Sequence, residues 1–98
     1  MKIEFHSQAD AEFAAAIRYY ESRQPGLGVK LYREALAKLD WIASNPELPR
    51  PRSNHRRVNL NVFPFFIAYL LEQDVIWVVA VAHSHRRPGY WRERLPPK

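Results

Sequence analysis

The chain has 98 residues, of which 47% are hydrophobic and 13% aromatic; disordered chains carry fewer apolar residues, so we predict one folded domain over residues 1–98. Cysteine is absent, which excludes disulfide bonds and a cysteine-ligated zinc site. No apolar run reaches the roughly 20 residues that span a bilayer, and Met1 leads into an alternating stretch without a signal region. We therefore expect a cytoplasmic protein with no membrane partner.

Positive charge is concentrated in the second half of the chain. The formal net charge is +5 with neutral histidines. Residues 1–49 contain 6 Lys and Arg against 7 Asp and Glu, and residues 50–98 contain 9 against 3, giving net charges of −1 and +6. A localised basic surface of this kind attracts polyanions or an acidic protein.

The N-terminal stretch predicts one strand followed by one helix. KIEFH alternates Ile3 and Phe5 with polar residues, which is the period of a half-buried strand. Ser7 and Asp10 form a capping-box pattern, so a helix should begin at about Gln8. The apolar residues that follow at helical spacing are Phe13, Ala16, Ile17 and Tyr20.

A second helix follows the QPGLG break. Its apolar face consists of Tyr32, Ala35, Leu36, Leu39, Ile42 and Ala43. The helix must end by Asn45, because Pro46 disfavours helical geometry in the residue before it. Two helices joined by so short a loop form an antiparallel hairpin, and each needs a surface that covers its apolar face.

The second half of the chain supplies three strands to cover the hairpin. HRRVNL alternates, whereas PFFIAYLL and VIWVVAVAH are nearly continuous apolar runs, which are typical of strands buried on both faces. The order β-α-α-β-β-β predicts an α+β fold in which a helical hairpin packs on a mostly antiparallel sheet. A short basic segment follows, with one helical turn expected at PGYWRER.

Two histidines mark the end of the last predicted strand. His83 and His85 flank Ser84, so both side chains point to the same side if the strand continues. Such a pair could hold a metal ion, but no Asp, Glu or Cys lies nearby in the sequence to complete the ligand shell, and we expect no metal. The imidazoles could instead transfer protons near neutral pH, or be solvated at the strand end.

Arginines form the second group of candidates. The guanidinium group makes paired hydrogen bonds to phosphate oxygens, although a run of arginines can also be a solvated tail. His55 and Arg57 share one side of their strand, opposite Val58 and Leu60, so an open sheet face could gather them with the C-terminal cluster. The candidate nucleic-acid-binding residues are His55, Arg56, Arg87, Arg92 and Arg94.

Aromatic residues have either packing or binding roles. Tyr90 and Trp91 could stack on an unpaired base or pin the C-terminal segment to the core; we expect Trp91 to be the anchor and Tyr90 the more exposed ring. Trp41, on the polar side of the second helix, is a possible partner contact. The aromatic residues expected in the core are Phe65, Phe66, Tyr69 and Trp77.

A series of features follows in order along the chain from about Phe5 to Arg94: a strand, a helix ending in YYE, PGLG, a helix ending in IASNP, RRVNLNVFPFFIAYLL, VIWVVAVAHSHR and RPGYW. This series resembles the RelE/ParE superfamily of type II toxin-antitoxin toxins. The resemblance implies a small basic toxin covered by the acidic or amphipathic tail of a cognate antitoxin. It also implies a complex that represses its own operon, so operator DNA would be contacted only through the antitoxin complex.

The resemblance implies one of two activities. RelE-like members cut mRNA on the ribosome without a metal, so no cofactor is expected, whereas ParE-like members inhibit DNA gyrase and are not nucleases. Cleavage requires a base, an acid and fixed cations around one phosphate. By the resemblance, Arg86 and Tyr90 match the C-terminal part of the catalytic pattern, and Arg57 lies on a suitable strand. His83 and His85 could serve as base or acid in place of other groups, which completes the set of candidate catalytic residues.

One strand departs from the nuclease pattern. Phe65 and Phe66 stand where RelE-like toxins carry a phosphate-facing arginine, a loss that could cost roughly 3 to 4 kcal/mol of transition-state stabilisation unless Arg87 replaces it. The His/Arg/Tyr cluster and the basic second half favour a ribosome-dependent mRNA endoribonuclease. The FPFF strand favours the gyrase inhibitor, and a module that binds only its antitoxin is a third possibility.

Overall fold

The computed structural model describes residues 1–87 and 89–94. Its elements in chain order are β1 (Lys2–Phe5), α1 (Ser7–Arg23), α2 (Leu27–Ser44), β2 (Arg56–Asn59), β3 (Phe65–Glu72) and β4 (Val75–His83). The predicted α+β class and element order are therefore confirmed. Pro88, the first residue of the predicted C-terminal turn, lies outside the described residues.

The four strands form one mixed sheet in the order β1-β4-β3-β2. β1 is parallel to β4, whereas β2–β3 and β3–β4 are antiparallel, which confirms a mostly antiparallel sheet. The register shifts between Ala68 and Tyr69, which pair with Ala80 and Val78 and leave Val79 as an extra residue in β4. A bulge of this kind bends the strand that carries it and increases its twist.

Both helices pack on one face of the sheet, which we name the helix face. Its buried core contains Ala9, Phe13, Ala16, Leu31, Ala35, Leu39, Ile42, Leu60, Phe63, Ile67, Tyr69, Ile76, Val78 and Val81. The helices approach closely at Gly28, where a Cβ atom would lie 2.5 Å from the Ile17 carbonyl oxygen. The face is thus closed by ordinary apolar packing of the predicted hairpin.

The first helix begins differently from the prediction. α1 starts at Ser7, and its N-cap is His6, whose Nδ1 accepts a hydrogen bond from the Gln8 N–H at 3.1 Å. The expected Ser7–Asp10 capping box is therefore wrong. The reason is that the His6 N–H still bonds to the Val78 carbonyl at 2.9 Å, so the chain leaves the sheet at His6 and turns directly into the helix.

The other face, which we name the tail face, is covered in part by residues 89–94. Trp91 is 5% exposed and packs on Phe66, with 5.4 Å between ring centroids. This confirms Trp91 as the anchor and explains the continuous apolar runs in β3 and β4, which are buried on both sides. Hydrogen bonds from Arg92 N–H to Gly89 O and from Arg94 N–H to Trp91 O close two tight turns in place of the expected helical turn.

In the part of the chain that the structure describes, no helix combines the length and the hydrophobicity needed to cross a membrane.

Candidate functional site

The sheet separates the predicted catalytic residues into two groups. Arg57 pairs with Ala68 in the antiparallel ladder, and both side chains belong to the tail face. His83 pairs with Phe65, which packs towards the helices. Paired residues share a face of the sheet. Arg57 and His83, which were both expected beside one phosphate, therefore lie on opposite sides of the sheet.

A pocket of about 460 Å³ lies on the helix side, between α1 and the end of β4. Of the predicted catalytic residues, His83, Arg86 and Tyr90 line it. The remaining lining residues are Glu12, Ala15, Ala16, Tyr19, Tyr20, Phe65 and Val81. The pocket thus combines an aromatic and alanine-rich wall with a few polar groups at its C-terminal side.

Glu12 organises the polar side of this pocket. Its Oε2 accepts a hydrogen bond from the Tyr90 hydroxyl at 2.7 Å, and its Oε1 lies 2.9 Å from the Arg94 guanidinium. Oε1 also accepts the Val81 N–H at 3.2 Å, and Arg94 donates to the Val79 carbonyl at 3.2 Å. This cluster, which we name the Glu12 clasp, ties the C-terminal segment to α1.

The clasp forms where one strand of the sheet ends. The pairing of β1 with β4 stops at Phe5 and Val78, so the backbone groups farther along β4 have no strand on that side. Glu12 and Arg94 satisfy two of these groups. Glu12 was not among the residues predicted from the sequence. Its position three residues after Ala9 and four before Ala16, on the buried side of α1, was the signal that could have indicated it.

Tyr90 is held as a hydrogen-bond donor. The centres of the Arg86 and Arg94 guanidinium groups lie 4.2 and 5.0 Å from the centroid of its ring. Burial raises the pKa of the Tyr90 hydroxyl, and the hydrogen bond and negative charge of Glu12 raise it further. The hydroxyl therefore stays protonated at neutral pH.

His83 and His85 lie together at the end of β4. The strand stops at His83, and a turn places the two ring centroids 5.2 Å apart, with the His85 N–H donating to His83 Nδ1 at 3.1 Å. The His83 ring also packs edge-on against Phe65 at 5.3 Å. Within residues 1–87 and 89–94, no group of three or more His, Cys, Asp or Glu is placed to hold a metal ion.

On the tail face, basic groups lie against aromatic rings. The Arg57 guanidinium carbon is 3.9 Å from the centroid of the Phe66 ring, and the group donates to Asn59 Oδ1 at 3.1 Å. The His55 ring packs edge-on against Trp91 at 5.2 Å. The sheet therefore gathers His55 and Arg57 with the C-terminal segment, as their shared strand parity predicted.

Charge repulsion on this face acts on His55. Burial lowers the pKa of its imidazole, and the positive charges of Arg52, Arg57 and Arg92 lower it further. Burial and Arg52 also lower the pKa of the Arg57 guanidinium. Arg52 and His55 form an isolated antiparallel bridge, with backbone hydrogen bonds of 2.7 and 2.8 Å, which places both side chains on one side of the chain.

Arg56, another of the nucleic-acid-binding candidates, lies apart from this group. It pairs with Tyr69 on the helix face, and its guanidinium donates to the carbonyl oxygens of Glu47 and Pro49, both at 2.8 Å. The Tyr69 hydroxyl donates to the Pro46 carbonyl at 2.8 Å. Arg56 and Tyr69 thus fasten the loop after α2 to the sheet.

The remaining candidate arginines differ in their surroundings. Arg94 is committed to the Glu12 clasp, so it holds the C-terminal segment instead of lying free for a phosphate. Arg86, Arg87 and Arg92 are exposed. Trp41, the possible partner contact, is 40% exposed on α2.

Two helices lie over one face of a four-stranded mixed sheet, and a basic C-terminal segment lies over the other. This is the architecture that the resemblance to RelE/ParE-like toxins implies. The chain matches the family model described as "ParE toxin of type II toxin-antitoxin system, parDE" over residues 3–88. The chain belongs to the ParE toxin family. The matched region ends before Tyr90, Trp91 and Arg94, so the anchor and two members of the clasp lie beyond it.

A solved structure supports the fold independently. The chain resembles "Chromosomal ParDE TA system from P. aeruginosa" with a TM-score of 0.73 and 17% sequence identity, over 85% of this chain and 95% of that chain. At this identity the likeness concerns the fold. No curated protein matches the sequence.

Proposed function

We propose that this ParE-family toxin arrests growth by binding and inhibiting DNA gyrase, as a non-catalytic protein, and that a cognate antitoxin neutralises it. The observation that carries the proposal is the separation of Arg57 from His83 by the sheet. The match to the ParE family model supports the same activity.

The geometry is unfavourable for RNA cleavage by the expected residues. Attack of the 2′-hydroxyl on the adjacent phosphate needs a base, an acid and fixed cations around one phosphorus atom. The Arg57 guanidinium lies over the Phe66 ring on the tail face, and the Tyr90 hydroxyl donates a hydrogen bond to Glu12 on the helix side. A protein-binding activity needs no such convergence.

Antitoxin binding has a candidate surface on α2. Val29, Tyr32 and Leu36 are 45%, 45% and 39% exposed and follow one another at helical spacing. An exposed apolar stripe on a helix suits an amphipathic helix of a partner. In this proposal the partners are the antitoxin and gyrase, and operator DNA regulation proceeds through the antitoxin complex.

The test is supercoiling of relaxed plasmid DNA by purified gyrase with increasing toxin. We expect supercoiling to stop at saturating toxin and to resume when the antitoxin is added first. Normal supercoiling at saturating toxin would exclude this activity.

A ribosome-dependent endoribonuclease is the second candidate, and the observation that favours it is that His83, Arg86 and Tyr90 line one pocket. This activity predicts new 5′ ends, in phase with codons, on a translated mRNA but not on an untranslated copy. It also predicts that Arg86→Ala and Tyr90→Phe abolish toxicity while antitoxin binding persists. Intact mRNA in growth-arrested cells, mapped by primer extension, would exclude it.

A further inference from the structure

The tail face carries a cluster of basic groups without acidic partners. The cluster, which we name the tail-face basic cluster, consists of Arg52, His55, Arg57 and Arg92. Among the described residues, the ion pairs within 4 Å join Lys2 to Glu4 and Arg94 to Glu12 and include none of these four. Like charges held together without a counter-charge indicate a surface that attracts an anion.

The backbone and the aromatic core hold the cluster together. The Arg52–His55 bridge fixes the loop before β2, and the ring of His55 packs on Trp91, next to Arg92. The mutual effect of these charges is visible in the pKa of His55, which burial, Arg52, Arg57 and Arg92 all lower. Arg52 and Arg92 are exposed, so their guanidinium groups are free to reach a ligand.

The two aromatic rings beside the cluster are buried and offer no open face for stacking. Phe66 is 3% exposed beneath the Arg57 guanidinium, and Trp91 is 5% exposed beside His55. Proteins that bind single-stranded nucleic acid stack successive bases on exposed aromatic rings. These two rings are covered, so the cluster offers charge and hydrogen-bond donors without a stacking platform.

We propose that the tail-face basic cluster binds the phosphate backbone of double-stranded DNA. Duplex DNA presents one negative charge per roughly 1.7 Å of axis, and arginines that contact only phosphates bind it without reading sequence. Arginine clusters also recognise acidic peptides. Duplex DNA is favoured here because its negative charges are dense and fixed in position, and because Phe66 and Trp91, the rings beside the cluster, leave no open pocket for an apolar anchor of a peptide. The proposal goes beyond gyrase inhibition, because it gives the toxin itself a contact to DNA.

The test is fluorescence anisotropy of a labelled duplex of about 20 base pairs, titrated with toxin alone at several KCl concentrations around 0.1 M. The variant Arg52→Gln/Arg92→Gln removes the two exposed charges of the cluster. The matched control Arg18→Gln/Arg33→Gln removes two exposed charges from the helices, so both variants have the same net charge. Circular dichroism confirms that each variant is folded.

We expect the wild type to bind the duplex with an affinity that falls as salt rises. The cluster variant should bind roughly ten-fold more weakly, with the slope of log K against log salt reduced by about 2, whereas the control should bind as the wild type does. Equal losses in both variants, or tighter binding of a single strand of the same length, would overturn the proposal. So would displacement of the duplex by polyglutamate at an equal concentration of charge.

Gyrase is absent from this titration, so its outcome is independent of the proposed function. Inhibition of supercoiling by the wild-type toxin, measured separately, tests that function. A toxin that inhibits gyrase but does not bind the duplex leaves the gyrase activity standing and removes the DNA site.

Discussion

The two faces of the sheet use charged residues in different ways. On the helix face, the Arg56 guanidinium bonds to two backbone carbonyls, and the Glu34 carboxylate accepts the N–H groups of residues 61–63 at 2.7 to 3.2 Å. On the tail face, Arg57 and His55 lie against aromatic rings and form no ion pair with a carboxylate of the described residues. Charges on the first face hold loops in place, and in the DNA-binding proposal the charges on the second face contact the ligand.

The difference follows from what covers each face. Two helices cover the helix face, whereas six residues, 89–94, cover part of the tail face. A short cover buries less apolar surface, so it depends on one large anchor, Trp91, and on the Glu12 clasp at the sheet edge. The following substitutions test these roles.

The largest expected effect comes from Trp91→Ala. Loss of this buried ring should lower the free energy of unfolding by about 3 to 5 kcal/mol, which is the range for large aromatic residues in a packed core. Urea denaturation measures the change, with Ile67→Ala as the counterpart on the helix face. A loss below about 1 kcal/mol for Trp91→Ala would mean that the segment is a loose tail and that the two faces differ more than the packing suggests.

The clasp is tested by Glu12→Gln. The variant keeps the shape of the side chain but loses the charge that pairs with Arg94, and both side chains are less than one-fifth exposed. We expect a loss of about 1 to 2 kcal/mol in the free energy of unfolding. The control is Glu4→Gln, whose ion pair with Lys2 is exposed and should contribute less than about 0.5 kcal/mol; equal effects would contradict a structural role for the clasp.

Arg56→Ala and Arg52→Ala compare an arginine that holds a loop with an exposed arginine of the tail-face basic cluster. Arg56→Ala removes two hydrogen bonds to carbonyl oxygens and should destabilise the protein by about 1 to 2 kcal/mol, whereas Arg52→Ala should leave stability within about 0.5 kcal/mol. Thermal unfolding of both variants gives the comparison. The reverse order would show that the faces are assigned incorrectly.

The smallest effect concerns the protonation of His55. Its pKa lies below the ordinary histidine value, so the unfolded chain binds more protons there than the folded protein does. The stability associated with neutral His55 is therefore fully present when the pH is above the ordinary histidine pKa of the unfolded chain. It is lost as the pH falls through the lowered pKa of the folded protein. An NMR titration should show the lowered pKa, and Arg92→Gln should raise it by removing a facing charge; an unchanged pKa would place Arg92 away from His55.

Periodicity in the sequence was sufficient for the elements and for which side of a strand each residue occupies. The apolar run from Val75 to His83 predicted a strand buried on both faces, and the parity of His55 and Arg57 placed them together. The same alternation places Arg56 and Arg57 on opposite faces of the sheet. Both were candidate site residues because the sequence does not show which strands pair with β2. Long-range packing decides which face of the sheet the helices cover. That packing places Arg56 against the loop after α2, where it bonds to the carbonyl oxygens of Glu47 and Pro49.

Local sequence thus determined the α+β order, the two-sided burial of β3 and β4, and the choice of Trp91 as anchor, because each depends on neighbouring residues along the chain. The Glu12 clasp, the His6 cap and the separation of Arg57 from His83 depend on where β1 stops beside β4 and on which strand pairs with which. The strand pairings join residues up to 73 positions apart, and the hydrogen bond from Tyr90 to Glu12 joins residues 78 positions apart. Such contacts form only when the whole core packs, so only the folded chain reveals them.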